Sequence, residues 1–238
     1  MERGREGDKQ NASPNCLLSL SPPLPLSLKR LHRLIVLSST YRQTSTPRED
    51  GLAADAGSRL LWRFPPKRLE AELLRDAILA SSGQLDRRMN GVSFDLFELN
   101  ANYVRVFNSK QEFEPATDFR RMIYSRKHRM QLDDTFGAFD CPDAGQVAPK
   151  RNSSNTPLQA LNLLNSRFVV TQASALANRV RAESASEVSD QIHRAFVITF
   201  GRRPTLSEVD LAKALVREHG LEAFCRALLN ANEFLFVM

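Results

Sequence analysis

The feature that most constrains this chain is a predicted helix start at Thr156. Thr156 can accept a hydrogen bond from an unpaired amide of the first helical turn, and Pro157 suits the first helical position, where no amide donor is missed. Gln159 completes a T-x-x-Q capping box. Pro157 also forces on its predecessor the extended backbone that an N-cap needs, so three local rules place the same boundary. The sequence therefore predicts a helix that begins after Thr156.

Downstream of this boundary the pattern predicts a succession of helices. Residues at helical spacing form one stripe with a polar exception: Leu158, Leu161, Leu164, Phe168, Gln172, Leu176 and Val180. We expect a break near residues 165–167 and a further helix over about 186–201. Thr205 and Glu208 form a second predicted capping box, whose helix runs to Gly220 before a last helix follows. Short connections favour antiparallel neighbours, so the C-terminal half is predicted to be an antiparallel helical bundle.

The middle of the chain predicts one helix and a small antiparallel β element. Residues 67–82 read as a helix that Gly83 ends in the left-handed conformation. Its expected apolar stripe comprises Leu69, Leu73, Ala77 and either Ile78 or Leu79. The β-branched and aromatic segments 103–107 and 122–124 are typical of strands. The predicted fold class is therefore mainly α, with one domain over residues 27–238.

The N-terminal part divides into a disordered segment and a basic amphipathic helix. Residues 1–26 are expected to be disordered, because their proline cluster cannot continue a helix, and they fit a signal peptide poorly. They resemble what a misplaced start within a longer reading frame would add. From Ser27 onwards four apolar residues share one helical face: Leu28, Leu31, Leu34 and Ile35. Such a helix could lie on a membrane surface or face a core, and we favour the core.

The charge of the chain permits several acidic partners. The formal charge is +6 and the sequence pI is about 9.5. None of the nucleic-acid recognition motifs appears, so we predict no nucleic-acid partner. No apolar run approaches the length of a transmembrane segment. A basic cluster could bind phosphate or sulfate, or could pair with Asp133, Asp134, Asp140 or Asp143; its members are Arg120, Arg121, Arg126, Lys127, His128 and Arg129.

Known catalytic motifs are missing from the sequence. It contains no P-loop, no dinucleotide fingerprint, no G-x-S-x-G and no H-E-x-x-H. The cysteines Cys16, Cys141 and Cys225 are far apart, and no C-x-x-C-H is present for c-type haem attachment. The four histidines are scattered. We therefore predict no metal site and no cofactor, and leave open whether the protein is an enzyme.

The densest polar constellation lies directly before the helix at Thr156. Its members are Asp140, Asp143, Lys150, Arg151, Asn152 and Asn155. Two carboxylates this close could share acid and base work, as glycoside hydrolysis requires, if burial raised one pKa. Alternatively, ion pairs and caps hold the loop together, because amides before a buried helix need partners. We favour the second interpretation, and expect Asp140, Asp143 and Arg151 to meet at the helix N-terminus.

Several segments together resemble one known family. They include Phe139-Asp-Cys-Pro-Asp-Ala-Gly-Gln146, the run from Pro149 to Asn165, residues 31–42, 60–65 and 120–124, and the ending at 228–236. In this order they resemble the planctomycete-specific domain of unknown function numbered fifteen fifty-three, from about Ser27 to the C-terminus.

The resemblance implies a context rather than an activity. In that family the domain closes longer, extracytoplasmic chains that carry cytochrome c modules. It therefore implies a non-catalytic structural or interaction domain, with cytochrome c-type or other extracytoplasmic modules as partners. The alternative that the residues leave open is a carbohydrate-handling or hydrolase-like domain, which would use the loop with Asp140, Asp143 and Arg151 on a ligand such as an anionic glycan.

Overall fold

A computed structural model shows a mostly helical protein, which confirms the predicted fold class. It divides into two compact units, Met1–Phe64 and Pro65–Met238. The structure describes residues 27–99, 107–109, 113–129, 136–142, 145, 147 and 149–237. None of the helices in these ranges is long and apolar enough to cross a membrane. The predicted disorder of residues 1–26 lies outside the described residues, and the single domain over 27–238 stays a prediction.

The described part of the first unit, residues 27–64, contains two short helices. Helix α1 spans Leu28–Leu37, and the Ser27 hydroxyl caps its first turn by accepting from the Arg30 amide at 3.4 Å. Helix α2 spans Glu49–Ala54. The prediction that α1 faces a core is wrong, since none of its residues is buried. The apolar face of α1 is exposed, because an amphipathic sequence pattern does not by itself supply a packing partner.

The second unit begins with a strand and a helix. Strand β1, Lys67–Arg68, pairs antiparallel with strand β4, Phe236–Val237, near the C-terminus. Helix α3, Ala71–Ser82, follows, so the predicted helix starts four residues late because a strand occupies its first positions. Gly83 ends α3 with a φ of 79°, as predicted. The expected stripe of α3 is partly correct. Ile78 and Leu79 are buried and Ala77 packs against the core, whereas Leu73 is 55% exposed and Leu74 is buried in its place.

The small β element lies in the middle of the chain, as predicted. Strands β2, Phe97–Leu99, and β3, Phe107–Ser109, pair antiparallel. Most of the predicted strand over 103–107 falls outside the described residues. The second predicted strand is wrong, because Met122–Tyr124 forms a 3₁₀ helix, in which the Tyr124 amide donates to the Arg121 carbonyl at 3.0 Å. Three β-prone residues are too short a segment for propensity to outweigh tertiary context.

The C-terminal half is a helical bundle with α6 at its centre. The bundle follows the short helix α4, Pro115–Asp118. Its helices are α5, Pro157–Asn165; α6, Arg167–Glu183; α7, Val188–Phe200; α8, Leu206–Asn230; and α9, Asn232–Leu235. Helix α6 packs against α3, α5, α7 and α8. The expected breaks are confirmed at Ser166, which lies between α5 and α6, and at Gly220, whose φ of 85° kinks α8.

The break at Ser166 also explains why the predicted core stripe is only half correct. Phe168, Gln172, Leu176 and Val180 of α6 are buried as expected. On α5 the expected residues are exposed instead: Leu158, Leu161 and Leu164. Gln159 and Leu163 face the core there. An extended residue between two helices resets their rotational phase, so one apolar stripe cannot continue through both.

Candidate functional site

The start of α5 is organised around the side chain of Gln159. Thr156 is the N-cap, and Gln159 Oε1 accepts from the Thr156 amide at 3.1 Å, which is the return bond of a capping box. The side-chain amide of Gln159 makes two further hydrogen bonds. Its Nε2 donates to the Ala138 carbonyl at 2.9 Å and to the Ser154 hydroxyl at 3.1 Å. Gln159 is 1% exposed, so these bonds join α5 inside the protein to the loop at Ser154 and to the 3₁₀ helix that contains Ala138.

Asp140 holds the loop that precedes α5. The 3₁₀ helix Gly137–Phe139 ends at Asp140, whose backbone has a φ of 58°. Its carboxylate accepts from the Ser154 amide at 2.7 Å and from the Ser154 hydroxyl at 2.9 Å. Residues with short polar side chains tolerate the left-handed conformation best. Asp140 therefore joins the end of the 3₁₀ helix to the residues before the cap.

Arg151 is engaged by a helix distant in sequence. Its Nη1 and Nη2 atoms donate to the two carboxylate oxygens of Glu72 on α3, at 2.7 and 2.9 Å, and Glu70 lies 3.5 Å away. Burial raises the pKa of Glu72, but the hydrogen bond and charge of Arg151 outweigh it, so that pKa lies below its usual value. The same pairing raises the pKa of Arg151. The arrangement is a bidentate ion pair that clamps the loop to α3.

Arg68 of β1 also contacts the loop before α5. We call the five residues that hold this loop the scaffold: Arg68, Glu72, Asp140, Arg151 and Gln159. Arg68 Nη1 donates to the Ser154 carbonyl at 2.7 Å and also to Gln159 Oε1. Its guanidinium lies 5.0 Å from the centre of the Phe139 ring. Burial lowers the pKa of Arg68, although the charge of Asp140 acts in the opposite direction. This arginine of β1 thus contacts the loop before α5, the first turn of α5 and the ring of Phe139.

Arg68, Asp140 and Arg151 line a cleft of about 420 Å³. Four of the six predicted residues line it: Asp140, Lys150, Arg151 and Asn152. Asn155 is exposed and is not among the lining residues, and Asp143 lies outside the described residues. Lys67, Arg68 and Glu70 also line the cleft, from the β1 side.

The thiol next to this site, that of Cys141, has a raised pKa. Lys127 Nζ lies 2.9 Å from Cys141 Sγ, and Glu72 Oε1 lies 3.7 Å from the same sulfur. Burial raises the pKa of Cys141, and the lysine, which lowers it, does not compensate. Since the thiolate is the nucleophile, Cys141 is poorly suited to covalent chemistry at neutral pH.

The basic cluster at residues 120–129 has partners that the sequence did not indicate. Arg120 donates to the carbonyls of Asn90 and Val92. His128 Nε2 lies 2.7 Å from the carboxylate of Asp95, a residue absent from the expected acidic partners. These side chains hold the loop after α3 in place, which favours the structural side of the two alternatives for this cluster.

Arg75 is a polar core residue that sequence reasoning missed. It lies on α3 with 0% exposure and donates to the Arg120 carbonyl at 2.9 Å. Its guanidinium stacks 5.0 Å from the ring centre of Phe94 and 5.5 Å from that of Phe168. Sequence patterns assign an arginine on an amphipathic helix to the solvated face, so no local signal identifies it. The carbonyl and the two rings named here belong to residues at least 19 positions away in the chain.

Two of the scaffold residues also lacked a sequence signal. Glu72 pairs with a residue 79 positions away, and Arg68 bonds Gln159 91 positions away. By contrast, the T-x-x-Q pattern identified Gln159, although only as a cap. Within the described part of the chain, no group of three or more His, Cys, Asp or Glu residues is placed to hold a metal ion.

Comparison with known proteins identifies a family but no function. The family model described as "Protein of unknown function (DUF1553)" matches residues 24–216. This covers most of the chain, which therefore belongs to that family. No curated protein and no solved structure matched the chain significantly.

Proposed function

We propose that this member of the DUF1553 family is a non-catalytic interaction domain, whose charged loop before α5 serves as a rigid scaffold. The observation that carries the proposal is the use of its charged groups. Asp140 is held by Ser154, and Arg151 forms a bidentate pair with Glu72. A hydrolase needs its acidic groups directed at a substrate, whereas these groups are directed at the fold.

The scaffold presents two lysines at the same cleft. Lys67 and Lys150 are exposed, and neither forms an ion pair with a described residue. Four cations line the cleft, from Lys67, Arg68, Lys150 and Arg151, against the two carboxylates of Glu70 and Asp140. A concave site with excess positive charge attracts acidic groups. We therefore propose an acidic group of a partner molecule as the occupant.

The family resemblance supports one class of partner. It places such domains beside cytochrome c-type modules of extracytoplasmic proteins, and we propose a module of that kind as the partner. The net charge of +6 is compatible with an acidic partner surface. A partner that docks through carboxylates would meet Lys67 and Lys150 first.

A second candidate is a carbohydrate-handling or hydrolase-like domain. The cleft favours it, because about 420 Å³ falls within the size range of small-molecule sites and Asp140 lines the wall. In this role Asp140 would act on a glycan, Arg151 would orient it, and Asp143 would supply the second carboxylate. The engagement of Asp140 and Arg151 within the fold makes this the weaker candidate.

A ligand and turnover screen tests both candidates. The full chain is titrated calorimetrically with sulfated and neutral oligosaccharides, and each mixture is assayed for newly released reducing ends. We expect binding of the sulfated ligand without turnover. The combined variant Lys67→Ala and Lys150→Ala should lose binding with an unchanged thermal midpoint, whereas the control Lys213→Ala, on α8, should bind normally.

Two outcomes would count against the proposal. Turnover that disappears in Asp140→Asn while stability is unchanged would establish the hydrolase-like role instead. Equal binding by the wild type and the double lysine variant would show that the cleft is not where acidic groups bind.

A further inference from the structure

We propose that α1 is a surface-binding helix that attaches the chain to anionic lipid membranes. Four residues at helical spacing form one apolar face: Leu28, Leu31, Leu34 and Ile35. All four are exposed, with Leu28 at 66% and Leu34 at 71%. A contiguous exposed apolar face on a helix indicates a site that binds a membrane or another molecule.

The physics of short helices requires such a surface. Helix α1 has ten residues and buries none of them. Isolated helices shorter than about 12–15 residues are marginal in water, and most helices in proteins are stabilised by the apolar face that they bury. The caps at Ser27 and Ser38 satisfy end groups, since Ser38 Oγ donates to the Ile35 carbonyl at 2.8 Å, but they bury no apolar area. Burial of the leucine face in the apolar part of a membrane would stabilise the helix.

The charges on α1 select an anionic layer. Lys29, Arg30 and Arg33 lie on the side opposite the leucine face, and no acidic residue occurs from position 27 to 48. Cations in the first turn oppose the helix dipole, and α1 has no acidic residue there to offset them. Anionic headgroups compensate these charges while the leucines enter the acyl boundary. This combination of a basic face and an apolar face is typical of helices that lie in the membrane interface.

The length of α1 fits the same orientation. Ten residues make a helix of about 15 Å, roughly half of the hydrocarbon thickness, so it lies in the plane of the interface. Tyr41 follows α1 and is 59% exposed. Tyrosine is enriched at the level of the headgroups. Helix α1 belongs to the first unit and the cleft at Lys67 and Lys150 to the second, and the proposal does not depend on the function proposed for that cleft.

Vesicle flotation tests the proposal with the full chain. The protein is mixed with vesicles of phosphatidylcholine alone, or of three parts phosphatidylcholine and one part phosphatidylserine, at low and high salt. We expect flotation only with the phosphatidylserine vesicles, reduced by salt because screening weakens the attraction. The combined variant Leu31→Asp and Leu34→Asp should lose binding with an unchanged thermal midpoint, whereas the control Leu211→Asp, at a 75% exposed leucine of α8, should bind normally.

The charged face provides an independent variant. Arg30→Glu combined with Arg33→Glu should weaken vesicle binding by roughly tenfold or more, whereas Arg217→Glu on α8 should have little effect. Equal flotation with both vesicle types, or no flotation at all, would overturn the proposal. A leucine variant that lowers the thermal midpoint by many degrees would show that protein covers this face. A wild-type dimer that the leucine variant dissociates would assign the face to a second copy of the chain.

Discussion

Replacing Gln159 by leucine should destabilise the second unit strongly. Four hydrogen bonds converge on this one amide, from Arg68, from the Thr156 amide, and to the Ala138 carbonyl and the Ser154 hydroxyl. Leucine fills a similar volume but makes none of them. Neutral hydrogen bonds are worth about 1 kcal/mol each and a bond to a charged group about 1.5–3 kcal/mol, so the loss of three neutral bonds and one charged bond should cost about 4.5–6 kcal/mol.

Gln172 offers a matched control for this change. It is also 1% exposed, on α6, and accepts a hydrogen bond from the Ser82 hydroxyl at 2.7 Å. Gln172→Leu should therefore cost about 1–2 kcal/mol. Urea unfolding followed by far-ultraviolet circular dichroism measures both variants. If Gln159→Leu and Gln172→Leu lose the same stability, Gln159 is an ordinary buried residue rather than the junction of the scaffold.

Three further predictions test other parts of the fold. A Cβ atom at Gly51 would lie 2.6 Å from the Trp62 ring, so Gly51→Ala should displace the ring and shift the emission of the single tryptophan to longer wavelength; unchanged emission would refute this packing. The hydrogen bond from Arg202 lowers the pKa of Glu208 from 4.5 to about 2, so this pair stabilises the fold at neutral pH and the effect is lost as the pH falls from about 4.5 towards 2. Glu208→Gln should accordingly be less stable than wild type at pH 7 in urea melts, with a difference that shrinks below about pH 4.5; a constant difference would contradict the pairing. Arg75→Lys should cost about 2–4 kcal/mol in urea melts because lysine cannot donate in a plane while stacking on two rings, and a wild-type midpoint would disprove the role of the guanidinium.

Local sequence rules predicted the boundaries of the C-terminal helices well. Caps and helix-ending glycines act through their own backbone neighbours, so a local sequence pattern predicts them. The examples are Thr156, Thr205, Gly201 and Gly220. The sequence did not show which face of α5 is buried, because that depends on how Ser166 turns the chain and on what Leu163 packs against. The bounds of the three-residue strands could not be predicted for a similar reason, since pairing with the neighbouring strand decides where they begin and end.

The candidate site shows the same division between local and distant causes. The sequence indicated which loop carries the charges, and the structure brings Asp140 and Arg151 to one cleft. It could not indicate that Arg151 pairs with Glu72, since the approach of α3 to the loop results from the whole packing of the unit. The burial of Arg75 could not be predicted for the same reason, because it depends on carbonyl groups supplied by another segment of the chain.

The unfolding free energies of Glu72→Gln, Arg151→Gln and the double variant decide whether Arg151 serves the fold or a ligand. Arg151 serves the fold through Glu72, with bonds of 2.7 and 2.9 Å on side chains that are 38% and 22% exposed. Partial exposure weakens such a pair, so we expect a coupling energy of about 0.5–1.5 kcal/mol, with each single variant less stable than wild type. Wild-type stability in both single variants, with no coupling, would contradict the account and leave Arg151 available for a ligand.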